Sequence, residues 1–456
     1  MNTVVYCERE DMTLLTVEDM IAATGGKTLC RDAGIFTGIC IDSRTIQEGE
    51  LFIAVKGERF DGHDFLAQAL EKAGGAIVHS TDTTPAPGKT VILVRDTLRA
   101  LQDIARFIRI KRNIPLVAVT GSNGKTTTKE LTAAILGTQH RILKNSGNLN
   151  NHIGLPLTLT KISDEDEIIV LEMGASAPGE IRELCAVAMP NYGVLTNIGR
   201  AHLEGFKDIE TVRSTKVELL ETAGVAVVNA DDHFLMEGIQ RSGFRGTVKR
   251  YGIESASDIR ATNIVLHDHG ADFRIEFQGD YSIEVTSHIA GKFNIYNILA
   301  AASIGYLFAI DPVNIKRAIE SFSGVPMRME FREFQGINII SDMYNANPAS
   351  MEAALRELTR IRKGRSVAVL GDMLELGSYE EEAHRETGRL LSGLSIDIFI
   401  AVGDRMALAA SEFTGSAYRL SSAEEAGNLL RTIWEKGDTV LIKGSRGMHM
   451  ERVLGG

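Results

Sequence analysis

The sequence predicts an α/β protein with three domains, in which a central P-loop sheet is followed by a second, Rossmann-like sheet. First, apolar runs of strand length alternate with helical patterns over most of the chain. Second, a glycine-rich loop separates one such strand from a helix. Third, the 456 residues are too many for one domain and suggest roughly three at about 150 residues each.

The composition limits the classes of function. Hydrophobic residues make up 44% and charged residues 24%, which is typical of a globular chain. With 49 Lys and Arg against 60 Asp and Glu, the net charge of −11 argues against nucleic acid as a partner. The longest apolar run, residues 298–310, is interrupted by Ser303 and is shorter than the roughly 20 residues of a bilayer span.

The first residues and the cysteines indicate a compartment. The N-terminal segment carries acidic residues and has no apolar core of signal-peptide length, so we expect a cytoplasmic protein. The cysteines have no paired spacing, which favours reduced thiols over a disulfide framework or a zinc site. They are Cys7, Cys30, Cys40 and Cys185.

Residues 1–112 form the first predicted domain. Residues 1–12 precede the first amphipathic pattern and are expected to be a loose extension. The segment from Thr97 to Lys111 places apolar side chains at helical spacing. The predicted strands are Leu51–Val55, Ala76–Val78 and Thr90–Val94.

Residues 113–323 form the second predicted domain. The run Leu116–Val119 is continuously apolar, as in a strand buried on both faces of a parallel sheet. Residues 258–288 alternate apolar and polar side chains instead and predict an antiparallel ribbon. Further predicted buried strands are Ile168–Leu171, Gly193–Thr196 and Val225–Val228.

Residues 324–456 form the third predicted domain, which we expect to be Rossmann-like. Each of its strands ends in a glycine-containing or acidic turn. In open α/β sheets the carboxyl ends of the strands face the ligand crevice, so these turns are expected to border a binding site. The strands are Ile337–Ile340, Val367–Leu370, Ile398–Val402 and Thr439–Ile442.

The strongest local motif is Thr120–Thr127, which reads TGSNGKTT between a strand and a helix. Its glycines allow backbone N–H groups to approach phosphates, Lys125 can reach the β- and γ-phosphates, and the Thr126 hydroxyl can bind Mg²⁺. Val119 occupies the first glycine position of the strict P-loop pattern, so a simple glycine turn at a helix start is the alternative. The predicted ATP-binding residues are Gly121, Ser122, Asn123, Gly124, Lys125, Thr126 and Thr127.

Three later residues have both a functional and a structural interpretation. Glu172 ends a predicted buried strand, where it can bind Mg²⁺ or cap the strand end. His202 follows another strand, and a lone histidine in such a position is often structural. A histidine ligand is also less expected for Mg²⁺, which prefers oxygen ligands. Lys216, in Ser214–Glu218, has the pattern of a solvated helix lysine. Composition and spacing alone do not distinguish these alternatives.

Taken together, ten ordered segments resemble the Mur ligases, the ATP-dependent amide-forming enzymes of bacterial peptidoglycan synthesis. The resemblance covers the chain from about residue 14 and is strongest to the branch that acts on a UDP-linked tripeptide. The segments are TGSNGKTT (120–127), GNLNNHIGLPLTL (147–159), EMGAS (172–176), TNIGRAHLEGF (196–206), KVE (216–218), GKFNIYNILAA (291–301), RME (328–330), DMYNANPASM (342–351), VLGDMLELG (369–377) and KGSRG (443–447).

The resemblance implies a ligase that joins D-alanyl-D-alanine to the terminal carboxylate of UDP-N-acetylmuramoyl-tripeptide. ATP would activate that carboxylate as an acyl phosphate, with one or two Mg²⁺ ions. The domain 1–112 would bind the uridine nucleotide, 113–323 would bind ATP, and 324–456 would bind the amino substrate. We expect the enzyme to act as a monomer.

The resemblance also implies roles for single residues. Glu172 and His202 match metal ligands, beside Thr126, and Lys216 matches a lysine that CO₂ converts to a carbamate able to bind Mg²⁺. The implied catalytic residues are Lys125, Lys216 and His202. Further implied ATP-site residues are Asn294, Asn297, Arg328 and Asp342, with Arg328 also at a hinge to the third domain.

The substrate-binding residues are carried over from the less specific segments. Ser43 and Arg44 lie in a stretch that resembles the uridine-nucleotide region. Asn150 and Asn151 are expected to contact the muramoyl group, with loop stabilisation as the alternative. Ser445 and Arg446 follow the last strand, where they can meet the D-alanyl-D-alanine carboxylate.

Three other functions compete with this interpretation. A sister ligase that adds a diamino acid commonly carries Asp-Asn-Pro-Arg, whereas this chain reads Asn345–Pro348 followed by Ala349. A folate polyglutamate synthetase lacks a separate uridine-binding domain. A non-catalytic nucleotide-binding module would not need Lys125, Glu172, His202 and Lys216 together.

Overall fold

The computed structural model of the chain describes residues 15–57, 60–81, 88–279 and 281–455, so the expected extension at residues 1–12 lies outside the described residues. Within that range the strands are β1 Leu15–Thr16, β2 Lys27–Cys30, β3 Ile35–Phe36, β4 Ile39–Cys40, β5 Leu51–Ile53, β6 Gly75–Val78, β7 Thr90–Leu93, β8 Leu116–Thr120, β9 Ile142–Lys144, β10 Ile168–Glu172, β11 Tyr192–Leu195, β12 Val225–Asn229, β13 Thr247–Gly252, β14 Ile259–His267, β15 Gly270–Phe277, β16 Tyr281–Ser287, β17 Glu330–Phe334, β18 Ile337–Asp342, β19 Ser366–Gly371, β20 Ile398–Val402, β21 Ser416–Leu420 and β22 Thr439–Lys443.

The helices follow the same chain order. They are α1 Val17–Thr24, α2 Leu66–Leu70, α3 Thr97–Arg112, α4 Lys125–Leu136, α5 Gly154–Leu159, α6 Glu180–Ala188, α7 Leu203–Phe206, α8 Ile209–Val217, α9 His233–Arg241, α10 Lys292–Leu307, α11 Pro312–Ser321, α12 Pro348–Ile361, α13 Glu380–Gly393, α14 Met406–Glu412 and α15 Ala423–Ile433. Among the described residues, none of these helices is long and apolar enough to cross a membrane.

The strands form four sheets, and their pairing confirms the α/β class. A five-stranded sheet has the order β2-β7-β6-β5-β4, and a two-stranded one pairs β1 with β3. The sheet that contains the phosphate-loop strand β8 has nine strands in the order β16-β15-β14-β13-β12-β11-β8-β10-β9. Its β12 and β13 run parallel, whereas β14, β15 and β16 pair antiparallel. The predicted antiparallel ribbon within residues 258–288 is therefore confirmed.

Two compact units emerge from the contacts within the chain. The first contains Met1–Ala118, His140–Gly174 and Ile181–Tyr192, and the second contains Val119–Gln139, Ala175–Glu180 and Gly193–Gly456. The three predicted domain boundaries differ from this division and stay predictions.

In the first unit, α3 shows how local sequence sets the helix limits. Asp96 caps its start by accepting a hydrogen bond from the Arg99 N–H. The helix ends at Arg112 because Asn113 takes the left-handed conformation, with φ of 42°. Its apolar face is buried, as the helical spacing predicts. A separate core packs α2 against the five-stranded sheet through side chains such as Phe52, Leu66 and Val78.

In the second unit, the C-terminal sheet has the order β17-β18-β22-β19-β20-β21. All of its pairings are parallel except that of β17 with β18. One face packs on α12, α13 and α14 through residues such as Leu355, Leu391 and Ala409. The other face packs on α15 through Ala426 and Leu430. Helices on both faces of a parallel sheet are the Rossmann-like arrangement that the sequence predicts.

Candidate active site

The phosphate loop begins directly after β8 and requires glycine at two positions. Gly121 has φ of 144°, and a Cβ atom there would lie 2.0 Å from Oγ1 of Thr196. Gly124 has φ of 81°, and its Cβ would lie 2.2 Å from Oδ1 of Asn297. The loop therefore fits only without side chains at these two positions, as the motif predicts.

A neighbouring segment holds the loop in shape. The Asn197 side chain accepts from the Asn123 N–H at 2.9 Å and donates to the Asn123 carbonyl at 3.1 Å. Thr196 Oγ1 donates to the same carbonyl at 2.6 Å. Ser122 Oγ accepts from the Gly199 N–H at 2.8 Å and donates to its carbonyl at 3.0 Å. The loop is thus held in place by protein contacts.

Thr196 and Asn197 were not predicted individually as site residues. They lie in the segment TNIGRAHLEGF (196–206), which the resemblance singled out as a whole. Only His202 was selected from that segment, because a threonine and an asparagine carry no chemical signal on their own. Their contacts with the loop show that the segment is a structural partner of the phosphate loop.

Lys125 lies at the start of α4 and is half-buried. Its Nζ donates to the carbonyls of Gly121 at 2.9 Å and Ser122 at 3.0 Å. The ammonium group therefore lies across the loop whose N–H groups are the expected phosphate ligands. Thr126 and Thr127, the next two residues, are buried.

Asn294 and Asn297 support the loop from α10. Asn297 Nδ2 donates to Asn294 Oδ1 at 2.9 Å, and Asn294 Nδ2 donates to the Ala290 carbonyl at 2.7 Å. Asn297 Oδ1 accepts from the Thr128 hydroxyl at 3.3 Å. Both asparagines are nearly buried, so in this structure they brace the first turn of α4.

Glu172 lies in the first unit, at the end of β10. Its side chain is 3% exposed and accepts from Asn150 Nδ2 at 2.8 Å. The Asn145 side chain holds the Glu172 backbone through two hydrogen bonds. Its Oδ1 accepts from the Glu172 N–H at 2.9 Å, and its Nδ2 donates to the Glu172 carbonyl at 3.0 Å. Asn151 Oδ1 accepts from the N–H groups of residues 153 and 154 at the start of α5. Asn150 therefore contacts a predicted metal ligand, while Asn151 stabilises its own loop.

His202 lies in the second unit, in the left-handed conformation with φ of 54°. Its Nδ1 shares a short hydrogen bond with the Glu375 carboxylate. This bond holds the pKa of Glu375 below its ordinary value. Nearby, Arg200 donates to the Tyr379 hydroxyl at 2.7 Å and stacks on its ring at 4.5 Å. The segment 196–206 thus contacts the C-terminal sheet's loops as well as the phosphate loop.

Lys216 lies in α8, and only 2% of it is exposed. Its Nζ donates to the Ala175 carbonyl at 3.3 Å and lies 5.5 Å from the centre of the Phe206 ring. The solvated helix lysine that composition alone allows is therefore excluded.

The carboxyl edge of the C-terminal sheet carries a buried ion pair. Lys443, at the end of β22, donates from Nζ to Asp342 Oδ2 at 2.6 Å and to the Asn345 carbonyl at 3.0 Å. Asp342, at the end of β18, also accepts from the Met329 N–H at 3.2 Å. Only 2% of the Lys443 side chain and 14% of that of Asp342 are exposed. Lys443 was not predicted individually, because a strand-end lysine has no distinctive local pattern.

Arg328 lies where the chain enters the C-terminal sheet. Its guanidinium group is 4.1 Å from the centre of the Tyr344 ring. Its buried Nε has no hydrogen-bond partner among the described residues. Both neighbours have positive φ angles, 59° at Met327 and 48° at Met329. Such a conformation is costly for residues with side chains and marks a constrained junction.

The remaining predicted residues are less closely grouped. Ser445 is 3% exposed, and its Oγ accepts from the Leu374 N–H at 2.9 Å. The Arg446 side chain is 54% exposed. In the first unit, Ser43 donates to Gln68 at 3.0 Å, and Arg44 pairs with a neighbouring aspartate, Asp42, at 2.6 Å. Their substrate roles stay predictions.

A cluster in the first unit has the composition of a metal site. Asp61, His63 and His79 place possible ligand atoms within 4.8 Å of one another. Both ring nitrogens of His63 are already engaged, Nδ1 with Asp61 at 2.6 Å and Nε2 with the His79 N–H at 3.1 Å. These hydrogen bonds fix the orientation of the His63 ring.

Three family models match the chain in sequence order. Residues 35–109 match "Mur ligase family, catalytic domain", residues 119–305 match "Mur ligase middle domain", and residues 327–446 match "Mur ligase, glutamate ligase domain". The middle match contains the phosphate loop, and the last contains the Asp342–Lys443 pair.

Curated relatives match over nearly the whole length. A UDP-N-acetylmuramoyl-tripeptide–D-alanyl-D-alanine ligase of Bacillus subtilis is 38% identical, with 92% of this chain and 93% of the relative covered. The protein of the same name from Escherichia coli is 35% identical, with 91% and 92% covered.

Solved structures match the fold equally well. A crystal structure of MurF from Acinetobacter baumannii superimposes with a TM-score of 0.90 at 31% identity, covering 97% of this chain and 98% of the other. MurF ligase from Thermotoga maritima in complex with ADP matches with a TM-score of 0.81 at 32% identity, covering 91% and 96%. Both chains are similar to this one along nearly their full length.

Proposed function

The chain belongs to the Mur ligase family, and we propose that its phosphate loop holds the ATP that drives its reaction. It is an ATP-dependent ligase of peptidoglycan synthesis that joins D-alanyl-D-alanine to UDP-N-acetylmuramoyl-tripeptide. The observation that carries the assignment of the loop is its geometry. Two glycines with positive φ and a lysine that crosses the loop lie directly after a buried strand.

We propose that the reaction proceeds through an acyl phosphate. The terminal carboxylate of the tripeptide attacks the γ-phosphorus of ATP, and ADP leaves. The amine of D-alanyl-D-alanine then attacks the acyl carbon, loses a proton and expels phosphate. No protein nucleophile is needed, so the enzyme acts by positioning the reactants and stabilising charge. Lys125 is the proposed cation for the negative charge that develops on the phosphates.

The other proposed nucleotide residues lie on separate elements of the second unit. Residues 121–127 bind the phosphates, and Asn294 and Asn297 keep the first turn of α4 in place. Arg328, whose Nε lacks a partner among the described residues, has a donor available for a ligand. Asp342 is already paired with Lys443, so we propose that it acts with that lysine as one unit.

The proposed donors fit Mg²⁺ chemically. The Thr126 hydroxyl and the Glu172 carboxylate are oxygen ligands, which Mg²⁺ prefers, and His202 adds an imidazole. We propose that CO₂ adds to the Lys216 amine with loss of a proton, so that this buried residue also becomes an oxygen donor. Mg²⁺, when bound, supplies charge neutralisation at the phosphates. The protein's part is to hold these donors on fixed elements.

We also propose where the two substrates bind. The region up to residue 112, with Ser43 and Arg44, binds the uridine nucleotide, and Asn150 and Asn151 lie near the muramoyl group. Residues 324–456, with Ser445 and Arg446, bind D-alanyl-D-alanine. We propose that the enzyme is a cytoplasmic monomer.

Phosphate release tests this function directly. The full-length protein is assayed with ATP, Mg²⁺ and UDP-N-acetylmuramoyl-tripeptide, with D-alanyl-D-alanine added or omitted. We expect sustained release only when all components are present, together with a UDP-linked pentapeptide. Release that is equally fast with a free diamino acid and the UDP-dipeptide would instead identify the sister ligase.

A further inference from the structure

An amide pair joins the phosphate loop to the C-terminal sheet's first helix within the second unit. Asn347 Nδ2 donates to Asn123 Oδ1 at 2.8 Å, and Asn123 Nδ2 donates back to Asn347 Oδ1 at 3.4 Å. The two residues are 224 positions apart in the sequence. Gly199 lies beside the pair. A Cβ atom at Gly199 would lie 3.8 Å from Asn123 Nδ2 and 3.9 Å from Ala349 Cβ.

Each partner is fixed within its own element. The Asn123 N–H and carbonyl are both bound by the Asn197 side chain. Asn347 is the N-cap of α12, where its Oδ1 accepts from the Ser350 N–H at 2.9 Å and its own N–H donates to Ser350 Oγ at 3.0 Å. The two side-chain amides connect these two parts directly. A change in the position of either part therefore breaks or strains the pair.

We propose that Asn347 is a positioning residue that couples the phosphate loop to α12, within the region 324–456 that is proposed to bind the amino substrate. With the pair formed, α12 lies in a fixed place relative to the loop that holds the γ-phosphate. The acceptor amine is then presented to the reacting carboxyl group only when the loop has its ATP-binding shape. This proposal rests on the proposed functions of the phosphate loop and of residues 324–456.

The helix cap and the amide pair can be separated by mutation. Asn347→Ser keeps an N-cap oxygen, because serine caps about as well as asparagine, but it is too short to reach Asn123. Ser350→Ala is the matched control, since it weakens the reciprocal cap of α12 and leaves the Asn123–Asn347 contacts intact. Asn123→Ser and the double variant complete a thermodynamic cycle.

Steady-state kinetics of the full chain with all three substrates tests the proposal. We expect Asn347→Ser to raise KM for D-alanyl-D-alanine about tenfold, as the loss of two neutral hydrogen bonds implies. KM for the UDP-tripeptide and the thermal midpoint should stay unchanged. Ser350→Ala should lower the thermal midpoint slightly and leave KM alone. The double variant should be no worse than the poorer single variant, because both remove the same contact.

Three results would overturn the proposal. They are unchanged kinetics in Asn347→Ser, an equal rise in KM for all substrates, and effects of the two single variants that multiply in the double variant. Failure of the wild-type protein to ligate would instead contradict the proposed function, since that assay does not depend on any variant.

Discussion

The phosphate loop and the carboxyl edge of the C-terminal sheet each contain a lysine, and the two lysines are held differently. Lys125 is half-buried and donates to carbonyls of its own loop, three and four residues away. Lys443 is buried and donates to Asp342, 101 residues away, and to the Asn345 carbonyl. The first lysine is held by local geometry, and the second by a long-range ion pair.

This difference predicts which of the two lysines can be removed without unfolding the protein. Lys125 donates to carbonyls three and four residues away in its own loop, so we expect its loss to affect the chemistry more than the fold. Lys443 leaves a largely buried carboxylate without its cation, and breaking a buried pair is strongly destabilising. We therefore expect Lys125 to matter mainly for the reaction and Lys443 mainly for stability.

The largest effect is expected for Lys125→Ala. Removing the cation proposed to stabilise the transferred phosphoryl group should lower kcat on the order of 10³-fold. We expect the thermal midpoint to stay close to that of the wild type, because the Lys125 Nζ donates to carbonyls of its own loop rather than to a distant part of the fold. The measurement is phosphate release together with thermal unfolding. Near-wild-type turnover in the folded variant would remove the loop from the catalytic site.

The opposite behaviour is expected for Lys443→Met. An uncompensated Asp342 carboxylate should cost about 3 kcal/mol of unfolding free energy. Urea unfolding of the full chain measures this change, and Lys443→Met with Asp342→Asn is the control. The double variant should regain part of the loss, since the buried charge is gone. Equal stability of both variants and the wild type would show that the pair is not energetically important.

Lys216 tests whether a buried lysine can be functional through modification. Lys216→Ala should lower kcat on the order of 10²-fold if a carbamate on Lys216 helps to bind Mg²⁺. Added acetate or formate should restore part of the activity by filling the vacated position. Lys216→Arg is the control, because arginine keeps the cation but cannot form a carbamate. Full activity of Lys216→Arg would contradict the proposal.

The smallest effect concerns His384, on α13 beside the C-terminal sheet edge. Burial lowers the pKa of this histidine, and its ring accepts from the Met373 N–H at 3.0 Å and donates to the Glu380 carbonyl at 2.6 Å. The folded state therefore binds its proton less readily than the unfolded state, whose histidine pKa is about 6.5. The stabilisation is present above that value and is lost as the pH falls through it.

The His384 effect is measured by urea midpoints between pH 5 and pH 8. The wild-type midpoint should fall towards pH 5, and His384→Gln should show a flatter profile. Identical slopes in the two proteins would mean that other groups cause the pH dependence.

The same contrast between local and long-range contacts explains which features could be predicted from the sequence alone. The sequence predicted a phosphate loop between a strand and a helix, and the structure has β8, the loop and α4 in that order. This was predictable because the motif is local, and Gly121 and Gly124 are both required by the geometry of the loop. The parallel sheets and the antiparallel ribbon followed from apolar periodicity. Short strands such as β3 and β4 were not predicted, since two residues carry no period.

Residues that act through distant partners were harder to predict. Thr196, Asn197 and Lys443 gain their roles only through contacts with residues far away in the sequence. The sequence around Asn347 indicates a helix N-cap, and its contact with Asn123 is visible only in the folded structure. Glu172, His202 and Lys216 were selected through family resemblance, because single acidic, histidine or lysine positions carry little information.

Isotope transfer tests the central claim most directly. The tripeptide is labelled with ¹⁸O in its terminal carboxylate and is ligated by the full-length enzyme in unlabelled water. An acyl phosphate predicts one ¹⁸O atom in each phosphate released, because the attacking carboxylate oxygen leaves with the phosphoryl group. Pentapeptide formation that releases phosphate without ¹⁸O would contradict activation of the carboxylate by the ATP held on the phosphate loop.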